Sequence, residues 1–284
     1  MFSKFLDPKN DVAFKKIFGS EKHKDILIHF LNDMISFDEG LPIQDVTFLK
    51  TVQDPDIAAK KTSIVDVLCR DEKGNTYIVE MQVARTRGFE KRAQYYAAKA
   101  YCSQMNAGES YTDLKQVIFL AITNFVMFPE KVAYTSDHVT LDRETLENDL
   151  KAFSFTFVEL PKFQKNIHEL KTISDKWCYF FKHATETSED DVDHIIGQDV
   201  IMKQAYKALS RFSWNEEELL SYEQDIKHER DYVSSMEQRF EEGVSKGIEK
   251  GELKARVEIA KALLNSGMTK TQVISITGLK AGEF

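Results

Sequence analysis

Apolar positions along the chain recur with two periods, and the change between them outlines the elements. In residues 7–18, Asp-Pro-Lys-Asn-Asp-Val-Ala-Phe-Lys-Lys-Ile-Phe, the side chains of Phe14, Ile17 and Phe18 share one helical face. Asp7 before Pro8 suits a helix start there and Gly19 a stop. A second helix is expected at about 22–36, with Ile26, Leu27, Phe30, Leu31, Met34 and Ile35 as its stripe, followed by a strand over 46–52. Residues 63–69 (Ser-Ile-Val-Asp-Val-Leu-Cys) and 76–83 (Thr-Tyr-Ile-Val-Glu-Met-Gln-Val) are short, apolar and β-branched, and the Asp-Glu-Lys-Gly-Asn segment at 71–75 separates them. That is the pattern of a β-hairpin.

A long helix follows at 88–107, then a near-continuous apolar run at 116–124 of the kind buried on both faces of a sheet. Residues 129–149 read as irregular, and 153–160 as an alternating strand closed by Pro161. From about 164 the periods are helical, with an acidic loop expected at 186–193. Residues 216–256 are dense in charge and carry Gly243, Gly247 and Gly251 at four-residue spacing beside Phe240, Val244 and Ile248. A helical pair closes the chain, where Thr269 and Gln272 fit a capping box and Gly278 a stop. The expected division is a mixed αβ domain over 1–165, a helical layer over 166–215, and a charged helical tail over 216–284.

Composition narrows the function. With 42% hydrophobic residues, 11% aromatics and few Pro and Gly, the chain is an ordinary folded protein. Cys69, Cys102 and Cys178 have no CxxC spacing and read as reduced thiols, no apolar leader opens the chain, and no run nears the ~20 apolar residues of a membrane span. A cytoplasmic location is the expectation. The excess of 46 acids over 38 Lys+Arg argues at first against nucleic acid.

Position changes that inference. If the turn is centred on Lys73, facing residues across the hairpin have numbers that sum to 146, so Asp66 opposes Glu80. Facing Cβ atoms lie about 4.5–5.5 Å apart, where like charges repel. Both acids interrupt apolar strands, and the pair needs compensation by protonation, by a basic neighbour such as Arg92 or Lys99, or by a hard divalent cation. Gln82 shares a strand face with Glu80. Arg85, Arg87, Lys91, Arg92 and Lys99 follow with Glu90 as the single acid among 85–99, and Lys4, Lys9, Lys15, Lys16, Lys22 and Lys24 precede, so the acid excess belongs mostly to 186–193 and 216–258. A cationic field around paired carboxylates suits a phosphodiester.

The residues at 7–18, Val-Asp-Val-Leu at 65–68, Val-Glu-Met-Gln at 79–82, Lys-Arg-Ala-Gln-Tyr-Tyr at 91–96 and Glu-Leu-Pro-Lys-Phe at 159–163 together resemble the recombination-promoting nuclease family, also described as PD-(D/E)XK nuclease family transposases. The resemblance implies an α/β fold with a restriction-endonuclease-like core, a mixed sheet flanked by helices, and a C-terminal all-helical extension. It implies an endonuclease that hydrolyses DNA with Mg²⁺ or Mn²⁺ in recombination, mobile elements or phage defence, with RNA served by the same site. Carried over by position, Asp66, Glu80 and the main-chain carbonyl of Met81 hold the cation, and Gln82 takes the place of the usual lysine. Asp11, Lys15, Arg85, Arg87, Arg92, Tyr96 and Lys99 are the implied substrate contacts. The chain departs from the pattern at Val65-Asp66, where Pro-Asp is usual; Pro55-Asp56 spells the motif but falls in a polar loop. A degenerate member acting as a DNA-binding or oligomerisation module is the alternative. The glycine-spaced segment from Phe240 to Ile248 is the candidate seam of a homodimer, and Lys270 and Gln272 of the closing hairpin are a minor candidate for DNA contact.

Overall fold

A computed structural model describes residues 4–36, 42–53, 63–106, 108–280 and 282–284. The chain divides into two compact units, Met1–Asp225 and Ile226–Phe284.

The first unit is built on a six-stranded mixed sheet. Strands β1 (Val46–Phe48), β4 (Val67–Asp71), β5 (Thr76–Gln82), β6 (Val117–Thr123), β7 (Thr135–Val139) and β8 (Phe153–Glu159) lie in the order β1-β4-β5-β6-β8-β7. The pairs β1/β4, β4/β5 and β7/β8 are antiparallel, and β5/β6 and β6/β8 are parallel. Every residue of β6 is buried, as its unbroken apolar run requires of a central strand with both faces covered. Helix α3 (Phe89–Cys102) packs Phe89, Ala93, Ala97 and Ala100 on one face of the sheet, against Ile78, Phe119 and Phe157.

A second core joins α1 (Asp11–Phe18), α2 (Lys24–Met34), α4 (Ile173–His183) and α6 (Val200–Leu209). Phe14, Phe18, Phe30, Trp177 and Phe181 meet there with ring centroids 4.9 to 6.2 Å apart, and Asp33 accepts a 2.7 Å hydrogen bond from the Trp177 indole. With Phe14, Ile17 and Phe18 fully buried, α1 has one rotational setting, and Asp11 and Lys15 fall on its outer face.

Several elements differ from the sequence reading. The first helix starts at Asp11, because Asn10, not Asp7, caps it by accepting from the main-chain N–H groups of Val12 and Ala13. The strand expected over 46–52 stops at Phe48, and Val52–Gln53 (β2) pairs instead with Ser63–Ile64 (β3) in a separate ribbon, which leaves a break at Val65 and Asp66 before β4. Helix α3 ends at Cys102, five residues early. Polar segment 129–149 contains β7, which among the described residues is an edge strand bonded on one side only and so tolerant of Ser136, Asp137 and His138. Strand β8 does not alternate: its C-terminal half, Thr156 to Glu159, is buried on both faces. The acidic 186–193 segment leads into helix α5 (Glu189–Ile196), whose Ser188–Asp191 capping box and acidic first turn favour a helix start. Pro55-Asp56 lies outside the described residues.

In the second unit, α7 (Glu216–Asn265), which begins in the first, runs on without a break, so the charged segment and the first helix of the closing pair are one element. Helix α8 (Lys270–Thr277) starts at the expected Thr269–Gln272 capping box and folds back so that Val273 and Leu279 bury Ala260. The Gln272 amide oxygen accepts from the N–H and hydroxyl of Thr269, and its amide nitrogen takes no part in that box. Among the described residues, no helix is long and apolar enough to cross a membrane.

The aromatic junction dictates a stability outcome. Phe181→Ala removes one ring contact each from Phe14, Phe18 and Phe30, leaves a cavity among them, and is expected to cost about 3–5 kcal/mol in denaturant unfolding; a loss below about 1 kcal/mol contradicts the packing.

Candidate active site

Pairing across the hairpin joins Val67 to Val79, Leu68 to Ile78 and Cys69 to Tyr77, sums of 146 throughout, so the expected register holds. One step beyond the last pair, Asp66 faces Glu80. At the bend before β4, the Asp66 main-chain N–H turns to the Glu80 carboxylate, donating to Oε1 at 3.3 Å, while Asp66 Oδ2 accepts from the Met81 N–H at 2.8 Å. Because N–H and C=O of one strand residue point the same way, the Met81 carbonyl opens toward Asp66 as well.

Glu80 is 3% exposed. Its Oε2 accepts from Gln82 Nε2 at 3.0 Å, and Gln82 Oε1 accepts from Arg92 Nη2 at 2.5 Å, so the amide relays the guanidinium to the carboxylate. Arg92 reaches across from α3 with its guanidinium 4.8 Å from the Phe89 ring centroid, and its Nε is buried with no hydrogen-bond partner among the described residues. Gly88, in the left-handed region at φ 76°, makes the turn that starts α3, and its carbonyl accepts from the Arg92 N–H.

On the other side stands α1. Lys15 Nζ is held by both Asp11 carboxylate oxygens at 2.7 and 2.8 Å and lies 3.9 Å from Asp66 Oδ1. The start of α1 is tied to Asp225, whose Oδ2 accepts from Asn10 Nδ2 at 2.6 Å and from the Asp11 N–H at 3.2 Å. Neither Asn10 nor Asp225 was legible as part of the site. Asn in front of an acid at a helix start was the available signal for the first; the second comes from 215 residues away and left none.

The electrostatics follow from this crowding. Burial pushes the Glu80 carboxyl up, and the Asp66 charge pushes it further. Asp66 is raised by burial and by Asp11, against the Met81 hydrogen bond and the charges of Lys15 and Arg92. Burial alone would lower the Lys15 ammonium, but Asp11, Asp66 and Glu80 hold it above its usual value. Tyr96, half-buried one turn beyond Arg92, is raised by burial and lies within the influence of Arg92, Glu80 and Asp66.

The structure thus brings Asp66, Glu80, Met81, Gln82, Asp11, Lys15, Arg92 and Tyr96 together. Arg85 and Arg87 lie exposed in the loop before α3, outside this hydrogen-bonded network, and Lys99 sits half-buried further along α3. The expected wider cationic face is partly spent. Lys4, Lys9, Lys16 and Lys24 pair with Glu189, Asp7, Glu218 and Asp45. The motif at 159–163 is structural: buried Glu159 accepts from the N–H groups of Met127 and Phe128 and pairs with Lys162 at 2.7 Å.

The described residues contain no cluster of three or more His, Cys, Asp or Glu side chains suited to a metal ion. The donors that do converge are hard oxygens, two carboxylates and a main-chain carbonyl. That set fits Mg²⁺, which takes one or two carboxylates and keeps several waters, and does not fit a softer ion held wholly by side chains.

A family model described as PD-(D/E)XK nuclease family transposase matches residues 8–239. No curated protein and no solved structure matches the chain. The six-stranded mixed sheet flanked by helices, with its long C-terminal helix, is consistent with the restriction-endonuclease-like fold of that family.

Because its folded-state carboxyl is raised, Glu80 favours folding only in its protonated form. From about pH 5 to pH 8 the unfolded chain releases a proton that the folded chain retains, so this group erodes stability as pH rises. In EDTA, the fall in Tm over that window is expected to be shallower for Glu80→Gln than for the wild type; parallel curves contradict the assignment.

Proposed function

We propose, for a chain that belongs to the PD-(D/E)XK nuclease family transposases, that it is a divalent-cation-dependent endonuclease hydrolysing phosphodiester bonds of DNA. Family membership supports a nuclease-type function; the substrate, the cation and the residue roles are our reading. The observation that carries it is the pairing of Asp66 with Glu80 at the edge of an apolar strand pair, where burial and mutual repulsion favour a bound divalent cation. Mg²⁺ is the cation we assign, with Mn²⁺ as substitute, and Asp66, Glu80 and the Met81 carbonyl as its ligands. When bound, such a cation neutralises phosphate charge and lowers the pKa of water.

The side chains divide the remaining work. Gln82 cannot act as the usual lysine does, since it carries no charge and both ends are engaged, by Glu80 and by Arg92. Its hydrogen bonds fix the Glu80 carboxylate toward the cation position. Lys15 supplies the missing positive charge from α1: held by Asp11 and standing beside Asp66, its ammonium orients the attacking water and screens the incoming phosphate. Arg92 and Tyr96, on one face of α3, bind the phosphate from the opposite side, and Arg85, Arg87 and Lys99 extend the track along the strand. RNA offers the same phosphodiester, and the biological setting we propose is recombination or mobile-element DNA, in keeping with the family description.

A nuclease fold that binds nucleic acid without cutting is the second reading, and the double tether of Gln82 at the lysine position favours it. Plasmid and RNA cleavage assays with Mg²⁺ separate the two. The wild type is expected to cut, Asp66→Ala and Glu80→Ala to lose roughly 10²-fold or more, and Lys15→Met to lose a comparable factor. Binding without cleavage by the wild type supports the second reading, and neither binding nor cleavage removes both.

We also propose a homodimer through α7. Phe240, Val244 and Ile248 are exposed on one stripe, and among the described residues nothing beyond the adjoining helix backbone and the two chain neighbours lies within 4 Å of where a Cβ would stand at Gly243, Gly247 or Gly251, so a second helix has room to approach closely. Residues 231–243 before that centre carry four acids against Arg239, and residues 244–256 after it carry four bases against Glu249 and Glu252, so antiparallel pairing sets net unlike charges opposite each other. Light scattering is expected to give a dimer that Val244→Glu converts to a monomer; a monomeric wild type contradicts this.

A further inference from the structure

Beyond α3, on the flank away from Arg92, the sheet carries a cavity of about 340 Å³. Phe128, His138, Phe155 and Phe157 form its aromatic wall, and Glu90 and Gln94 of α3, with Thr140, its polar side. Phe155 and Phe157 share one face of β8. Phe128 and His138 have centroids 5.0 Å apart, and both stand edge-on to Phe157, at 5.4 and 5.5 Å. The box is built rather than incidental, because Glu159 fixes the main chain of Phe128 through the hydrogen bond at 3.1 Å described above. Lys131 holds its ammonium 5.5 Å from the Phe128 centroid, at the rim.

We propose that this cavity takes one unpaired, amino-bearing nucleobase of the strand whose phosphate is held at Arg92. This rests on the nucleic-acid reading of the carboxylate site and adds a substrate class to it: DNA with an unpaired or extruded base beside the cut. Stacking on aromatic rings is the sequence-tolerant way to hold a base out of a duplex. The polar side adds a preference. The Glu90 carboxylate is an acceptor, and Gln94 Nε2 gives one of its two N–H groups to the Glu90 main-chain carbonyl at 3.1 Å, which turns its Oε1 to serve as a second acceptor. Two acceptors are both satisfied by the two hydrogens of the exocyclic amino group of adenine, cytosine or guanine, whereas thymine offers them only its N3–H. Lys131 at the rim meets the backbone phosphate. Glu90 and Arg92 are 200° apart around α3, so base and phosphate straddle one helix, about 10–12 Å across with its side chains.

The test uses the full chain carrying Asp66→Ala, which prevents cutting, and a single-stranded oligonucleotide with one 2-aminopurine. Titration is expected to quench the probe. Adding Val139→Trp, which fills the cavity from a position 41% exposed on the edge strand, is expected to weaken binding roughly tenfold or more. Glu90→Ala, a milder change, is expected to erase the preference for amino-bearing bases over an all-thymine strand. Equal affinity with and without Val139→Trp overturns the proposal, as does binding of free 2-aminopurine nucleotide as tightly as the strand. Cleavage by the otherwise wild-type chain is measured separately: cutting that is insensitive to Val139→Trp on a mismatched duplex overturns the cavity alone, whereas probe quenching lost on Val139→Trp in a chain that never cuts upholds the cavity and removes the nuclease reading.

Discussion

Two carboxylates that face each other across a β-hairpin, in surroundings too apolar for both charges, are the constraint around which the first unit is arranged. Left alone, Asp66 and Glu80 repel and lose hydration at once. Each neighbouring element answers part of that cost. The bend before β4 turns the Asp66 N–H onto Glu80, and Met81 gives its N–H to Asp66. Helix α3 sends Arg92 through Gln82, and α1 sends Lys15. The compensation is incomplete, since both carboxyls remain raised. Under the proposed function a divalent cation finishes that task, and the hard oxygen donors of the pair suit a hard ion.

The two cores explain why the parts meet. Aromatic packing at Phe14 and Phe18 fixes the roll of α1, and with it the outward direction of Asp11 and Lys15. Alanines at Ala93, Ala97 and Ala100 let α3 lie close on β6 and the strands beside it, close enough for a side chain as long as arginine to reach the end of β5. Rigid elements on three sides hold the first contacts, while the loop carrying Arg85 and Arg87 stays exposed.

The hairpin was legible because turn chemistry and β-branched runs fix its register locally, and Asp66 opposite Glu80 followed from arithmetic on that register. Lys15 carried a phosphate-binding expectation, but its place beside Asp66 depends on a helix docked by contacts with residues more than 150 positions away, which no local pattern encodes. Strand β7 escaped because an edge strand needs no apolar alternation, and α5 because a capping box was hidden in a run of acids. Net charge misled most: the total describes α7 and α5 more than the site, and four of the lysines counted toward a cationic face are neutralised by acids. The aromatic cavity left no trace in the sequence, since alternating phenylalanines in β8 read equally well as core.

Calorimetric titration of the metal-free chain with Mg²⁺ and Mn²⁺ tests the central claim most directly, because it asks for the missing charge rather than for its consequences. The account predicts saturable heat for one cation in the wild type and none in Glu80→Ala, with both proteins folded by circular dichroism. No heat in the wild type, or the same heat in both, would contradict it.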